Sequence, residues 1–180
     1  MSDAPGRAGA HGGWKDSSGG TAAGGGVGSS GGTAGSGATG GAGEKLIREL
    51  CAAAEGQGLD IEKFVSMFSD EGYMWDMASG TKFRGQAIGD SIAGLASAFP
   101  DVHREIFSIY VAENVVIVEL AIRGTHKGEL HLPSGTLAPT GNVIDVPSCD
   151  VFHLENGKII SFHCYNEASV MQQQLGVGPG

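Results

Sequence analysis

The sequence predicts an α+β fold: a curved antiparallel sheet wrapped around N-terminal helices, the two together forming a cone-shaped pocket. Three observations carry this prediction. Apolar residues recur at helical spacing in three segments between Glu44 and Phe99. Beyond Pro100 the pattern changes to two-residue alternation broken by turn residues. The order, helices first and strands after, is that of domains whose helices pack on one face of an antiparallel sheet.

The elements follow in order. Residues 44 to 55 predict a helix with Leu46, Leu50 and Ala53 on one face, charge pairs from Glu44 and Glu49 to Arg48 and Lys45, and a stop at Gly56. Asp60 is placed to cap a second helix, Ile61 to Phe68, with Phe64, Val65 and Phe68 inward. Residues 72 to 77 alternate as a strand, Tyr73 and Trp75 on one side, Met74 and Asp76 on the other. From Gln86 to Phe99, Ile88, Ile92, Leu95, Ala96 and Phe99 mark a third helix, which Pro100 ends. Then come a strand over 102–111, a turn at Ala112-Glu113-Asn114 and a long strand from Val115 to about Leu130. A loop over 132–141, a hairpin over 143–154 and 158–166, and a closing helical turn over 168–175 complete the chain.

Composition divides the chain near residue 43. Residues 1–43 hold 17 of the 32 glycines, with Ala, Ser and Thr filling most of the rest. Such a segment has too little apolar surface to offset the entropy of ordering, so a disordered tail is expected over 1–43 and one domain over 44–180. The tail has no apolar core of a secretory signal and no Arg-rich transit pattern. Its charges cancel, so the formal charge of −9 belongs to the domain and argues against nucleic acid, whose affinity rests on Lys and Arg at phosphates. No apolar run approaches the roughly 20 residues of a membrane span. Cys51, Cys149 and Cys164 are an odd count without metal-type spacing, which suits reduced thiols in the cytoplasm. Cys149 and Cys164, on neighbouring strands, leave a disulfide open.

The chemistry turns on the closing hairpin, for which two registers are open. A two-residue turn at Asn156-Gly157 sets Leu154 opposite Ile159 and puts His153 and Glu167 on opposite faces. A three-residue loop, Glu155-Asn156-Gly157, sets His153 opposite Ile159 and gathers His163, Tyr165 and Glu167 on its face. The three-residue loop is favoured because Gly157 then sits at the left-handed position. Val151, His153, Ile159, Ser161, His163, Tyr165 and Glu167 would form a mixed surface of the kind that binds ligands. Phe152, Leu154, Ile160, Phe162 and Cys164 would form a more uniformly apolar one, for packing or a dimer contact. Glu167 beside Asn166 also fits a plain helix cap, and His153 a hydrogen-bonded sheet residue. Asp76 and Asp150 fit solvated or capping roles, and either could supply a second carboxylate. No HxxxH or HxH spacing supports a metal.

Phe99-Pro100-Asp101, Arg123-Gly124-Thr125-His126 followed by Gly128, Asn156-Gly157-Lys158-Ile159 and Gln174-Leu175-Gly176 resemble, in order and spacing, the SnoaL-like polyketide cyclases over about residues 60–176. That family has the nuclear transport factor two-like fold. The resemblance implies an acid/base carboxylate at Glu167, where the family carries Asp, with His153 beside it and His131 and His126 as further catalytic candidates. Tyr73, Trp75, His163, Tyr165 and Phe99 are the expected substrate-binding residues. The extra methylene of Glu shifts the proton-transfer point by about 1 Å, which favours a different substrate or ring closure.

The implied function is a cofactor-independent cyclase of secondary metabolism, closing a ring in a polyketide-type or related aromatic intermediate. Epoxide opening to a cyclic ether, or epoxide hydrolysis, would use the same groups. The same cone could also serve as a non-catalytic ligand-binding or dimerisation module. The expected partners are a small hydrophobic substrate and a second copy of the chain, with no metal, nucleic acid or membrane.

Overall fold

The structure, a computed structural model, describes residues 37–132 and 135–178, with side chains from residue 41 onward. Its elements run α1 (Gly37–Ala53), a 3-10 turn (Gly56–Gly58), α2 (Ile61–Ser66), β1 (Phe68–Asp76), β2 (Thr81–Arg84) and α3 (Gln86–Ala98). Then follow β3 (His103–Ala112), β4 (Val115–Thr125), β5 (Leu130–Leu132), β6 (Gly135–Leu137), β7 (Val143–Glu155), β8 (Lys158–Asn166) and α4 (Ala168–Leu175).

The α+β class and the curved sheet are as predicted. Six strands lie in the order β2-β1-β8-β7-β4-β3, antiparallel throughout except that β1 runs parallel to β8. A short β5–β6 hairpin stands apart in the segment expected to be a loop. The predicted Asp60 cap is present, its carboxylate accepting from the Lys63 N–H at 3.0 Å. β2 was not foreseen; its four residues pair with β1 as an edge strand.

The first helix starts earlier than composition suggested. The expected tail lies outside the described residues as far as residue 36, but from Gly37 the chain is helical, so 37–43 belongs to α1. Tertiary packing overrides propensity here. A Cβ on Gly43 would stand 3.2 Å from both Leu154 and Val116, so this glycine lets α1 lie close against the sheet.

One core joins the helices to one face of the sheet. Ile47 and Leu50 of α1, Phe64 of α2, and Ile88, Ile92 and Ala96 of α3 pack on Val116, Val118, Leu120, Ile144, Val146, Phe152 and Phe162. Phe152 and Phe162 stack with centroids 4.4 Å apart. This side of the sheet is its inner face; the alternate residues form the outer face.

The hairpin register differs from the favoured one. Asn156 and Gly157 both have positive φ, 50° and 73°, and Glu155 pairs with Lys158, so the turn has two residues. One residue on, β8 bulges. Leu154 faces Ile159 but His153 faces Ser161, leaving Ile160 as the extra residue. The bulge restores the parity that the three-residue loop would have produced. His153, Ser161, His163 and Tyr165 therefore do share a face, while Ile159 leaves it and is fully buried.

Candidate active site

β7 places two buried polar side chains on its inner face. Its alternate residues Ile144, Val146, Ser148, Asp150 and Phe152 are buried, so a hydroxyl and a carboxyl interrupt an apolar row. Asp150 is only 5% exposed and is the one buried carboxylate among the described residues. An unpaired buried charge is costly, so its partners matter. Ser148 Oγ donates to Asp150 Oδ1 at 3.2 Å. Cys164 is its cross-strand neighbour on β8, and the Arg104 guanidinium from β3 supplies positive charge. Burial outweighs these and raises the carboxyl from 3.8 to about 6.

The surroundings extend on both sides. Asn166 Nδ2 donates to Cys164 Sγ at 3.6 Å and to Asp76 Oδ1 at 3.3 Å. Asp76 is held at the end of β1 by Ala78 N–H (3.1 Å) and Ser79 Oγ (2.6 Å). From α1, Cys51 lies within the field of Arg104 and Asp150, and burial pushes its thiol up to about 12. Burial likewise pushes the Cys164 thiol far up. Neither cysteine is a thiolate, so neither is a nucleophile here. All three cysteines are free. Cys149 and Cys164 point to opposite faces of the sheet, which rules out the disulfide left open by the sequence.

The residues singled out in the sequence fall elsewhere. Glu167 is exposed at the N-cap of α4 and makes no capping bond with its side chain. His153 pairs with Ser161, Oγ to Nδ1 2.9 Å, on the outer face. Six residues separate Ser161 from Glu167, roughly 20 Å of chain at ~3.3 Å per residue, so His153 and Glu167 do not meet. Tyr73, Trp75 and His163 do come together, but on that same outer face. Tyr73 OH lies 3.1 Å from His163 Nε2, and Trp75 meets the His163 ring edge-on at 5.4 Å. Lys82 sits 4.1 Å over Trp75. Burial, then the neighbouring His153 and Lys82, lower the His163 pKa. Tyr165 is 46% exposed on this face. The mixed surface thus lies away from the helices, and the uniformly apolar one is the core.

Phe99 and His126 are both fully buried, their rings 5.3 Å apart. The Thr140 N–H donates to His126 Nδ1 at 3.1 Å, so Nδ1 is an acceptor and Nε2 carries a ring proton. That Nε2 has no partner among the described residues. His126, just past the end of β4, lies eight positions from Val118, the partner of Asp150, roughly 25 Å away at ~3.3 Å per residue. His131 is exposed on the β5–β6 hairpin and bonds Thr136 Oγ1 at 2.9 Å. Two surface grooves lie beside α1; the larger, about 490 Å³, runs between α1 and the turns at Glu113-Asn114 and Glu155–Gly157, and neither includes Asp150.

The signal for Asp150 was present in the sequence: a polar pair, Ser148 and Asp150, on the strand face that also carries Ile144, Val146 and Phe152.

No curated protein matches the sequence. Among solved structures, a SnoaL-like candidate polyketide cyclase from Jannaschia sp. CCS1 superposes with a TM-score of 0.69 at 16% identity, over 79% of this chain and 97% of that one. IdmH, a candidate polyketide cyclase from Streptomyces antibioticus, gives 0.63 at 18%, over 75% and 99%. A protein of ketosteroid isomerase-like fold from Catenulispora acidiphila gives 0.62 at 22%, over 74% and 94%. These likenesses establish the fold. The sequence itself matches the model of the SnoaL-like polyketide cyclases over residues 47–174, and with that match the chain belongs to this family.

Proposed function

We propose that the protein is a cofactor-independent cyclase closing a ring in a polyketide-type or related aromatic intermediate, with Asp150 as its general acid/base. The observation that supports this most is the buried carboxyl on the inner face, raised to about 6 and therefore available in both protonation states near neutral pH. In an aldol-type closure the Asp150 carboxylate takes a proton from the carbon beside a carbonyl. The enolate carbon attacks a second carbonyl of the same molecule, and protonated Asp150 returns the proton to the alkoxide. Arg104 favours the anionic stages. Glu167, exposed and distant from His153, is not given the role the family resemblance implied.

Asp150→Asn tests the assignment against a panel of aromatic polyketides bearing a second, electrophilic carbonyl. The expected loss is about 10²–10⁴-fold in rate; turnover at the parent rate would overturn it. A second reading, opening of an epoxide by an internal hydroxyl, uses the protonated Asp150 as acid. Base catalysis makes the rate fall below pH ~6, acid catalysis above it.

The small hydrophobic substrate and the homodimer remain parts of this proposal. The outer face, where Phe107, Tyr110 and Tyr165 are 60%, 54% and 46% exposed, is offered as the shared surface. Sedimentation of Tyr110→Lys as a monomer, against a dimeric parent, is the expected result. The three free thiols support a cytoplasmic setting, and no helix among the described residues is long and apolar enough to cross a membrane.

A further inference from the structure

We propose that Ser148 is the positioning residue that lets Asp150 stand in both protonation states: its hydroxyl donates to the carboxylate and, once the carboxyl is protonated, accepts from it while donating to the Tyr165 carbonyl. The inference rests on the acid/base reading of Asp150 and adds to it what holds that group in each half of the proton cycle.

The geometry places one donor between two acceptors. Ser148 and Asp150 stand two residues apart on β7, so their side chains share the inner face, and both are buried. Ser148 Oγ lies 3.2 Å from Asp150 Oδ1 and 3.4 Å from the Tyr165 carbonyl oxygen on β8. A hydroxyl has one proton and two lone pairs, so it donates to one of these oxygens at a time. Both distances exceed the roughly 2.7–2.8 Å of a settled O–H···O bond, as suits a hydroxyl shared between two partners. Cys164 Sγ, at 4.0 Å, is a weak partner in either direction. Tyr165 pairs with Cys149 in the ladder, and its carbonyl oxygen has a second lone pair for the hydroxyl.

The state of Asp150 decides which way the proton points. With Asp150 ionised, the charge-assisted bond is the stronger and the hydroxyl donates to Oδ1. With Asp150 protonated, two O–H donors would face each other. Ser148 then accepts the carboxyl proton, and its own proton turns to the Tyr165 carbonyl. Neither state leaves a buried O–H without an acceptor. A backbone N–H or an ammonium in this place could only donate, and would hold the carboxyl as an anion. The other groups around Asp150 lack this freedom. Arg104 on β3 is a fixed cation, and the thiols of Cys51 on α1, Cys164 on β8 and Cys149 on the opposite face of β7 stay neutral. The neighbour on β4 is apolar Val118.

The test is carbon-13 NMR of the uniformly labelled full chain from pH 4 to pH 8, following the Asp150 carboxyl and the Tyr165 carbonyl together. The Asp150 signal is assigned by its absence in Asp150→Asn. The Tyr165 carbonyl, bonded by Ser148 only while Asp150 is protonated, is expected to shift with the Asp150 midpoint. In Ser148→Ala the midpoint rises by about one pH unit, because a bond to a charged group is stronger than one to a neutral group, and the Tyr165 carbonyl no longer follows it. Ser148→Thr, which keeps a hydroxyl, restores the response. A Tyr165 carbonyl that stays flat in the parent while Asp150 titrates overturns the proposal, as does one that still follows Asp150 in Ser148→Ala. An Asp150 that keeps one protonation state across the range overturns it too. If Ser148→Ala does not fold, Asp150→Asn decides: a Tyr165 carbonyl that shifts there as in the parent overturns the proposal. The catalytic reading is separable. Full turnover by Asp150→Asn removes that reading whatever the carbonyl does, while lost turnover with a flat parent carbonyl overturns the role of Ser148 alone.

Discussion

Asp150 should lower the stability of the fold it sits in, and the size of that effect follows from the carboxyl's environment. Its pKa is about 6 in the folded chain against 3.8 for the free group. The folded state therefore binds the proton more tightly than the unfolded state. Below pH 3.8 both states are protonated and no penalty exists. As pH rises from 3.8 to 6 the unfolded state loses its proton first, and stability falls. Above pH 6 the penalty is complete: about 2.2 units at ~1.36 kcal/mol each, or about 3 kcal/mol. Asp150→Asn keeps an oxygen to accept from Ser148 but cannot ionise. It should be more stable than the parent by about 3 kcal/mol at pH 7, by about 0.5 kcal/mol at pH 4, and by intermediate amounts between. For a domain of this size the gain at pH 7 is roughly 6–12 °C in melting temperature. Urea unfolding of both proteins from pH 4 to pH 8 reads it directly. A constant gap across that range would refute the titration argument, and a variant less stable than the parent at pH 7 would refute the claim that the charge is poorly compensated. A buried charge kept at such a cost, in a protein that could carry Asn there, is what a stability–activity trade-off looks like.

Glu167→Gln should change neither turnover beyond about twofold nor stability beyond about 0.5 kcal/mol, because the side chain is exposed and caps nothing; a large rate loss measured on the same substrate panel would restore it to the site. His103 bridges Glu55 (2.7 Å) and Glu105 (3.4 Å), and those carboxylates raise its pKa. Its stabilising effect is therefore full below pH 6.5 and lost as pH rises through the folded-state value, so the melting-temperature gap between parent and His103→Asn should be wider at pH 5.5 than at pH 8.5. Gly128→Ala places a Cβ 2.0 Å from the Ser97 carbonyl oxygen and should cost about 3 kcal/mol or more in chemical denaturation.

The sequence disclosed the element order well because its signals were local. The closing helix is found at the predicted 168–175, the Asp60 cap is made, and Pro100 follows the end of α3. What escaped it depended on contacts across the chain. The four residues of β2 carry too little pattern to be read without their partner β1. The start of α1 at Gly37 lies in a glycine-rich stretch that local propensity argues against; close packing of Gly43 on the sheet is visible only in three dimensions. The hairpin is the instructive case. Asn156-Gly157 form the two-residue turn their composition suggests, and the bulge at Ile160 then moves the register by one. His153 does group with His163 and Tyr165, through the bulge and not through a three-residue loop.

The deeper difficulty lay in which face is inside. By sequence alone, a face mixing His, Tyr and Ser with aliphatics resembles a pocket, and a more apolar face a contact surface. Helices must cover the more apolar face, so Phe152 and Phe162 turn inward and carry Asp150 and Cys164 with them. The family-like segments could not correct this, because their side chains hold the fold together. Asp101 accepts from the Thr125 N–H and hydroxyl, both at 2.7 Å. His126 accepts from Thr140, Gly128 backs onto Ser97, and Gln174 exchanges two bonds with the Asp145 backbone. Leu175 is core, and Gly176 closes α4 with φ 76°. Such residues identify a fold with good specificity and say little about its reaction. The group proposed as the acid/base stands outside all of these segments, at Asp150. It is recognised by a physical oddity, an ionisable side chain on the buried side of a strand, whose cost the packing alone does not explain.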